Sequence, residues 1–247
     1  MACFKKILLI TGVTLLLTGC INHRVGENDA QRYQEDILLK ANNYNGLIAF
    51  YRQKLKQKED TAVRIKLAEY YYASGDYASS LYYLQPLRTQ YDADASVLEA
   101  KNLIALGKYS HASQVATLVT VKSPDRGDAW NLRGIALTLS GDPGMGRSAL
   151  EKARSLFIEE DTALNNLAMN ALIEHRDKEA VALLMPQYLR GSKNQRLIRN
   201  LVMALIRCDE KREARNIIAN ENLAENPDEL VDVLTRVYIR HPGVLNE

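Results

Sequence analysis

The chain has 247 residues, 47% of them apolar and 25% charged, with 32 Lys and Arg against 30 Asp and Glu. That composition supplies a substantial core and excludes disorder, while the near-neutral charge excludes the broad basic field that non-specific nucleic-acid binding needs. Three cysteines, Cys3, Cys20 and Cys208, lie in such different surroundings that no internal disulfide framework is expected. Cys208 reads as a small buried hydrophobe near a helix end.

Residues 1–19 contain a charged start with Lys5 and Lys6, an apolar run over 7–17, and then Leu17-Thr18-Gly19 before Cys20. The run is too short to span a bilayer, which takes ~20 apolar residues, and it fits the core of a signal peptide. In this order of elements the segment resembles a bacterial lipoprotein signal, with Leu17 to Cys20 as its lipobox. The resemblance implies that 1–19 is removed and that Cys20 is lipidated. With Ile21 and not Asp after the Cys, it also implies anchoring at the periplasmic face of the outer membrane. Each acyl methylene buried in the bilayer contributes ~0.8 kcal/mol, so two or more chains hold a protein there without a transmembrane helix. Residues 20–30 read as the lipidated Cys and a tether without periodicity, with a reach of ~30 Å; His23 belongs to it.

Downstream a pattern repeats. With Trp130 as position 4, units start at Thr61, Ala93, Gly127, Asp161 and Gln195, the last three steps being 34 residues and the first 32. Position 8 is Ala68, Ala100, Gly134, Ala168 and Val202; position 20 is Ser80, Ala112, Gly146, Ala180 and Ala214. Short side chains in two such columns are what two antiparallel helices need to approach closely. Position 15 is Gly75, Gly107, Gly141, His175 and Asp209, where a first helix must end in a left-handed residue. His175 therefore has a structural role. Asp76, Asp142 and Asp177 are expected to cap the second helices, and Leu84, Leu150, Leu184 and Ile218 at position 24 to cement them. Pro86 and Pro186 share position 26, where each should bend or end its helix.

These columns resemble the tetratricopeptide repeat. Trp130, Gly134 and Ala153 match its hallmark in one unit and Ala112 and Pro124 in another, while Gly146, Gln187 and Glu221 depart from it. The resemblance implies an all-α, right-handed superhelix of about five to six helical hairpins plus a capping helix. Residues 31–60 read as a degenerate first unit, because Asn42-Asn43-Tyr44 overlays Gly75-Asp76-Tyr77 and puts Leu47 and Tyr51 inside. Repeats fill 61–227, and 228–247 forms a capping helix and tail, with Leu230, Val233, Leu234 and Val237 on one face.

In this repeat family the first helices line a concave surface through positions 2, 5, 9, 12 and 13. That gives Tyr72, Lys101, Asn131, Asn165, Arg196 and Arg199 as the groove, with Asn166 and Asn200 at position 6. Two readings stand for the asparagines: they bind the backbone of an extended peptide, since an amide donates and accepts at once, or they face solvent and cap local carbonyls. Among the tyrosines, Tyr71 and Tyr77 take core positions and Tyr70, Tyr72 and Tyr82 are left to anchor a partner.

Enzyme chemistry is not expected. His23, His111, His175 and His241 are scattered without ligand spacing, and there is no nucleophile elbow or phosphate loop. No cofactor or metal follows from the sequence, and Glu159-Glu160-Asp161 reads as a solvated corner. Leader, length and repeat count together resemble the lipoproteins of pilus assembly systems, most of all the tight-adherence (Flp) apparatus. The implied partner is a protein or extended peptide of that secretion machine, the secretin among them, with membrane contact through the lipid anchor alone and no nucleic acid. A pilotin of type IV pili, or an adaptor regulating peptidoglycan synthesis or hydrolysis, are the alternatives.

Overall fold

The computed structural model describes residues 27–240. The leader, Cys20, His23 and His241 lie outside the described residues. Helix α1 (Glu27–Lys40) belongs to a unit that ends at Asn42, and the chain from Asn43 onward forms a second. Because α1 starts at Glu27, residues 27–30 of the expected tether are helical. Asn42 closes α1 with φ 49°, the left-handed turn that its overlay on Gly75 requires.

The second unit begins with α2 (Tyr44–Gln57) and continues through α3 (Thr61–Ala73), α4 (Tyr77–Leu84), α5 (Ala93–Ala105), α6 (Tyr109–Lys122), α7 (Gly127–Leu139) and α8 (Pro143–Ser155). It is completed by α9 (Glu160–Ile173), α10 (Asp177–Leu189), α11 (Gln195–Arg207), α12 (Lys211–Asn220) and α13 (Pro227–Arg240). Each helix packs on the next, and α3, α5, α7, α9 and α11 also pack on one another in succession, as consecutive second helices do not to that extent. First helices therefore lie on the inside of the curve.

The two columns of short residues are buried in every unit. The tightest crossing is α7 on α8, where a Cβ added at Gly134 would sit 2.5 Å from Leu150 Cγ and one at Gly146 would sit 2.3 Å from Thr138 Oγ1. Position 15 turns left-handed throughout: φ is 97° at Gly141, and also positive at His175 (56°) and Asp209 (63°). Leu84, Leu150, Leu184 and Ile218 are almost wholly buried, as position 24 demands.

Several expectations change. Asp76 and Asp142 cap, accepting from the backbone N–H of Ser79 and Met145. Asp177 does not: Arg176 holds the cap position, and the Asp177 carboxylate pairs with Arg207 of the next unit at 2.8 Å. Pro86 ends α4 in a 3₁₀ turn over Gln85–Thr89, but α10 runs through Pro186 to Leu189, because a proline this near the end forfeits a single hydrogen bond. Tyr70 is core, 7% exposed and 5.2 Å from the Tyr51 ring, so it is not left for a partner. Helix α13 seats Leu230, Val231 and Leu234 on the core and leaves Val233 and Val237 exposed; it is rotated relative to the face read from sequence. The acidic corner is built, not merely solvated: Glu159 caps α9 and Glu160 pairs with Arg154 at 2.6 Å. Cys208 is half-buried at the end of α11, where burial pushes its thiol pKa up and disfavours the reactive thiolate.

Arg126 joins two units, reaching Asp94 at 2.8 Å and Asp128 at 2.6 Å. Its hydrogen bond holds the Asp128 carboxyl below the usual range, with a weaker pull from Lys101. A depressed carboxylate stabilises the fold above its unfolded pKa of ~3.9, and that contribution is lost as pH falls through the folded value. Arg126→Ala should therefore lower stability at neutral pH by under about 1 kcal/mol, in keeping with a partly exposed pair. The gap to the unmodified protein should close below pH ~4 in urea titrations; a gap independent of pH would contradict this account.

Candidate partner-binding groove

Helices α7, α9 and α11 are adjacent first helices, so residues 34 or 35 apart in the chain come side by side on the inner surface. Four amides join there into one directional row. Asn200 Nδ2 donates to Asn165 Oδ1 at 2.7 Å, Asn165 Nδ2 to Asn166 Oδ1 at 3.3 Å, and Asn166 Nδ2 to Asn131 Oδ1 at 2.8 Å. Neither sequence reading anticipated this: the amides bond to each other across units, and the row leaves an acceptor at Asn200 and a donor at Asn131 unused among the described residues.

The row opens on a cavity of about 490 Å³ lined by Tyr72, Lys101, Asn131, Asn165, Asn166 and Arg196, six of the eight expected groove residues. Arg199 and Asn200 line a second cavity of about 390 Å³, which shares Met169 and Ile173 with the first. All eight are thus on one continuous inner surface. The charged lining residues of both cavities are Lys101, Arg196 and Arg199, all cationic. Positive charge over concave walls draws anionic partners and speeds their encounter.

Tyr72 is half-buried, its ring 5.5 Å from that of Tyr77. Tyr82 is exposed on α4, a second helix, and is not among the residues lining either cavity. Trp130 also serves packing, its indole N–H donating to the Pro124 carbonyl at 2.8 Å and its ring carrying the Arg133 guanidinium at 5.0 Å.

Two polar residues escaped the sequence reading. Asn102 and Asn170 both stand at position 10 and are fully buried. Asn170 Nδ2 donates to Thr138 Oγ1 at 2.9 Å and to the Pro143 carbonyl at 2.8 Å, and its Oδ1 accepts from Arg176. Asn102 Nδ2 donates to Ser80 Oγ at 2.8 Å. Each stitches its unit to the preceding hairpin, and Asn170 also floors the larger cavity. The available signal was asparagine in a column otherwise filled by Tyr70, Ala136 and Ala204.

Among the described residues no three His, Cys, Asp or Glu side chains are grouped to hold a metal, and no helix is long and apolar enough to cross a membrane. No family model and no curated protein matches the chain. Solved structures do. A thermophilic TPR protein of Thermus thermophilus superposes with a TM-score of 0.61 at 18% identity, over 72% of this chain and 98% of that one. A tetratricopeptide repeat protein from Parabacteroides merdae gives 0.66 at 10% identity, over 86% of each chain. YrrB, a TPR protein with an unusual peptide-binding site, gives 0.51 at 14% identity over 70% of this chain and 93% of that one. At such identities the likeness is one of fold: the chain is an all-α superhelical array of tetratricopeptide type.

Proposed function

We propose that this protein is a lipid-anchored periplasmic scaffold that binds a protein partner in its concave groove and serves assembly or localisation of a pilus secretion apparatus. The observation that carries the binding role is the amide row beside two cavities whose charged lining residues are all basic. An extended backbone has the N–H and C=O groups that the row's open ends complement. That one structural neighbour is a TPR protein with a peptide-binding site is in keeping with this role.

The anchor rests on the lipobox-like Leu17-Thr18-Gly19-Cys20, and the pilus assignment on the likeness of leader and repeat array to TadD, the tight-adherence lipoprotein. The partner on this reading is a component of the secretin channel. Cys20→Ser should leave the repeats folded and move the protein from the outer-membrane fraction to the soluble periplasm. Continued sedimentation with membranes would refute the anchor. Charge reversal of Arg196 and Arg199 together should reduce recovery of the crosslinked secretin at least tenfold. Recovery of peptidoglycan enzymes in place of the secretin would transfer the scaffold to cell-wall synthesis.

A further inference from the structure

The second cavity differs in kind from the first. Its walls include Met169 of α9, Met203 of α11, and Leu230 and Leu234 of α13, and its polar lining consists of Arg199 and Asn200. Arg199 is exposed and, among the described residues, has no ion pair. A space of about 390 Å³ is within the range of specific ligand sites, and unbranched methionines let such a wall adapt to different side chains.

We infer that this cavity receives a bulky apolar side chain from an internal segment of the partner, with an acidic residue beside it paired to Arg199. This rests on the groove-binding reading and adds the chemistry and register of the bound segment. The apolar walls favour removing a Leu, Phe or Met side chain from water. The guanidinium at the rim favours a carboxylate next to it. Asn200 distinguishes a peptide from an acyl chain with a carboxylate head. Its Oδ1 stands at the open end of the amide row, where it accepts a backbone N–H that an acyl chain lacks. From there the segment runs along the row toward Asn131, whose free N–H meets a backbone carbonyl.

The test is selection of random dodecapeptides displayed on phage, fused at their carboxyl ends so that no terminal carboxylate is free. The full chain in detergent micelles is the bait, in parallel with Arg199→Glu and Met203→Trp. Sequences enriched on the unmodified protein should share Leu, Ile, Phe or Met within two positions of Asp or Glu, and synthetic copies should bind each variant at least tenfold more weakly. Leu234→Lys repeats the measurement should Met203→Trp alter the thermal melt. Enriched peptides without the apolar residue, without acidic neighbours, or equally bound by the variants would overturn this inference and leave the groove reading standing. No enrichment at all would overturn both. Saturable binding of sodium dodecanoate in calorimetry, abolished by Met203→Trp, would assign the cavity to an acyl chain and overturn the peptide.

Discussion

Gly146→Ala is expected to destabilise the array by about 3 kcal/mol, at the upper end of overpacking, although Ala ordinarily stabilises a helix relative to Gly by ~1 kcal/mol. The sign reverses because the added Cβ would lie 2.3 Å from Thr138 Oγ1, 2.8 Å from Thr138 N and 2.9 Å from the Gly134 carbonyl oxygen. Two of these are backbone atoms, which no rotamer change moves. The control is two residues away in the same helix: at Gly144 the nearest atom to a new Cβ is 3.9 Å distant. Gly144→Ala should be neutral or slightly stabilising. The single Trp, Trp130, lies on α7 of the same hairpin, so urea unfolding followed by its fluorescence reports this unit. Stability in such arrays is a sum of local terms, and the Trp130 transition should move first. Equal midpoints for the two alanine variants would show that α7 and α8 do not cross this closely.

Asp177→Asn should cost about as much, roughly 3 kcal/mol, for an electrostatic reason. The Arg207 side chain is only 2% exposed, and that of Asp177, 15% exposed, places its carboxylate 2.8 Å from the Arg207 Nε. The guanidinium also reaches Nδ1 of His175 at 2.9 Å, so Arg207 ties the α9–α10 turn to the end of α11. Removing the carboxylate takes the Asp177 counter-charge from a desolvated cation, and breaking such a pair costs far more than the intact pair contributes. The double variant Asp177→Asn with Arg207→Met removes the cation as well and should recover most of the loss. A double variant as unstable as the single would mean that the guanidinium acts through its packing and not its charge.

Within the groove, Asn131, Asn165, Asn166, Arg196 and Arg199 were legible as neighbours, because a constant 34-residue step returns the chain to the same inner position. Their pairing was not. Whether an asparagine faces solvent, a ligand or another asparagine depends on side-chain rotamers and on the few ångströms between adjacent first helices, and neither is written in the spacing. The apolar cavity was hidden for a related reason. Leu230 and Leu234 of α13 were legible as facing inward, but that they meet Met169, far earlier in the chain, depends on where the last helix docks, which its own apolar pattern did not fix. The same holds for Tyr70, whose burial follows from the Tyr51 ring of α2.

By itself the sequence determined the hairpin array and its register. The units satisfy the same local conditions: short residues where helices cross, a left-handed residue where the first helix ends and, in four of the five, a leucine or isoleucine further along the second helix. A condition repeated at a fixed interval can be read without knowing what lies across the groove. Only the tertiary structure decided which polar groups face one another between units, at the asparagine row, at Asp177 and Arg207, and at buried Asn102 and Asn170. Those contacts are set by distances between helices far apart in the chain, and a hydrogen bond or ion pair is made or lost within about 1 Å of such a distance.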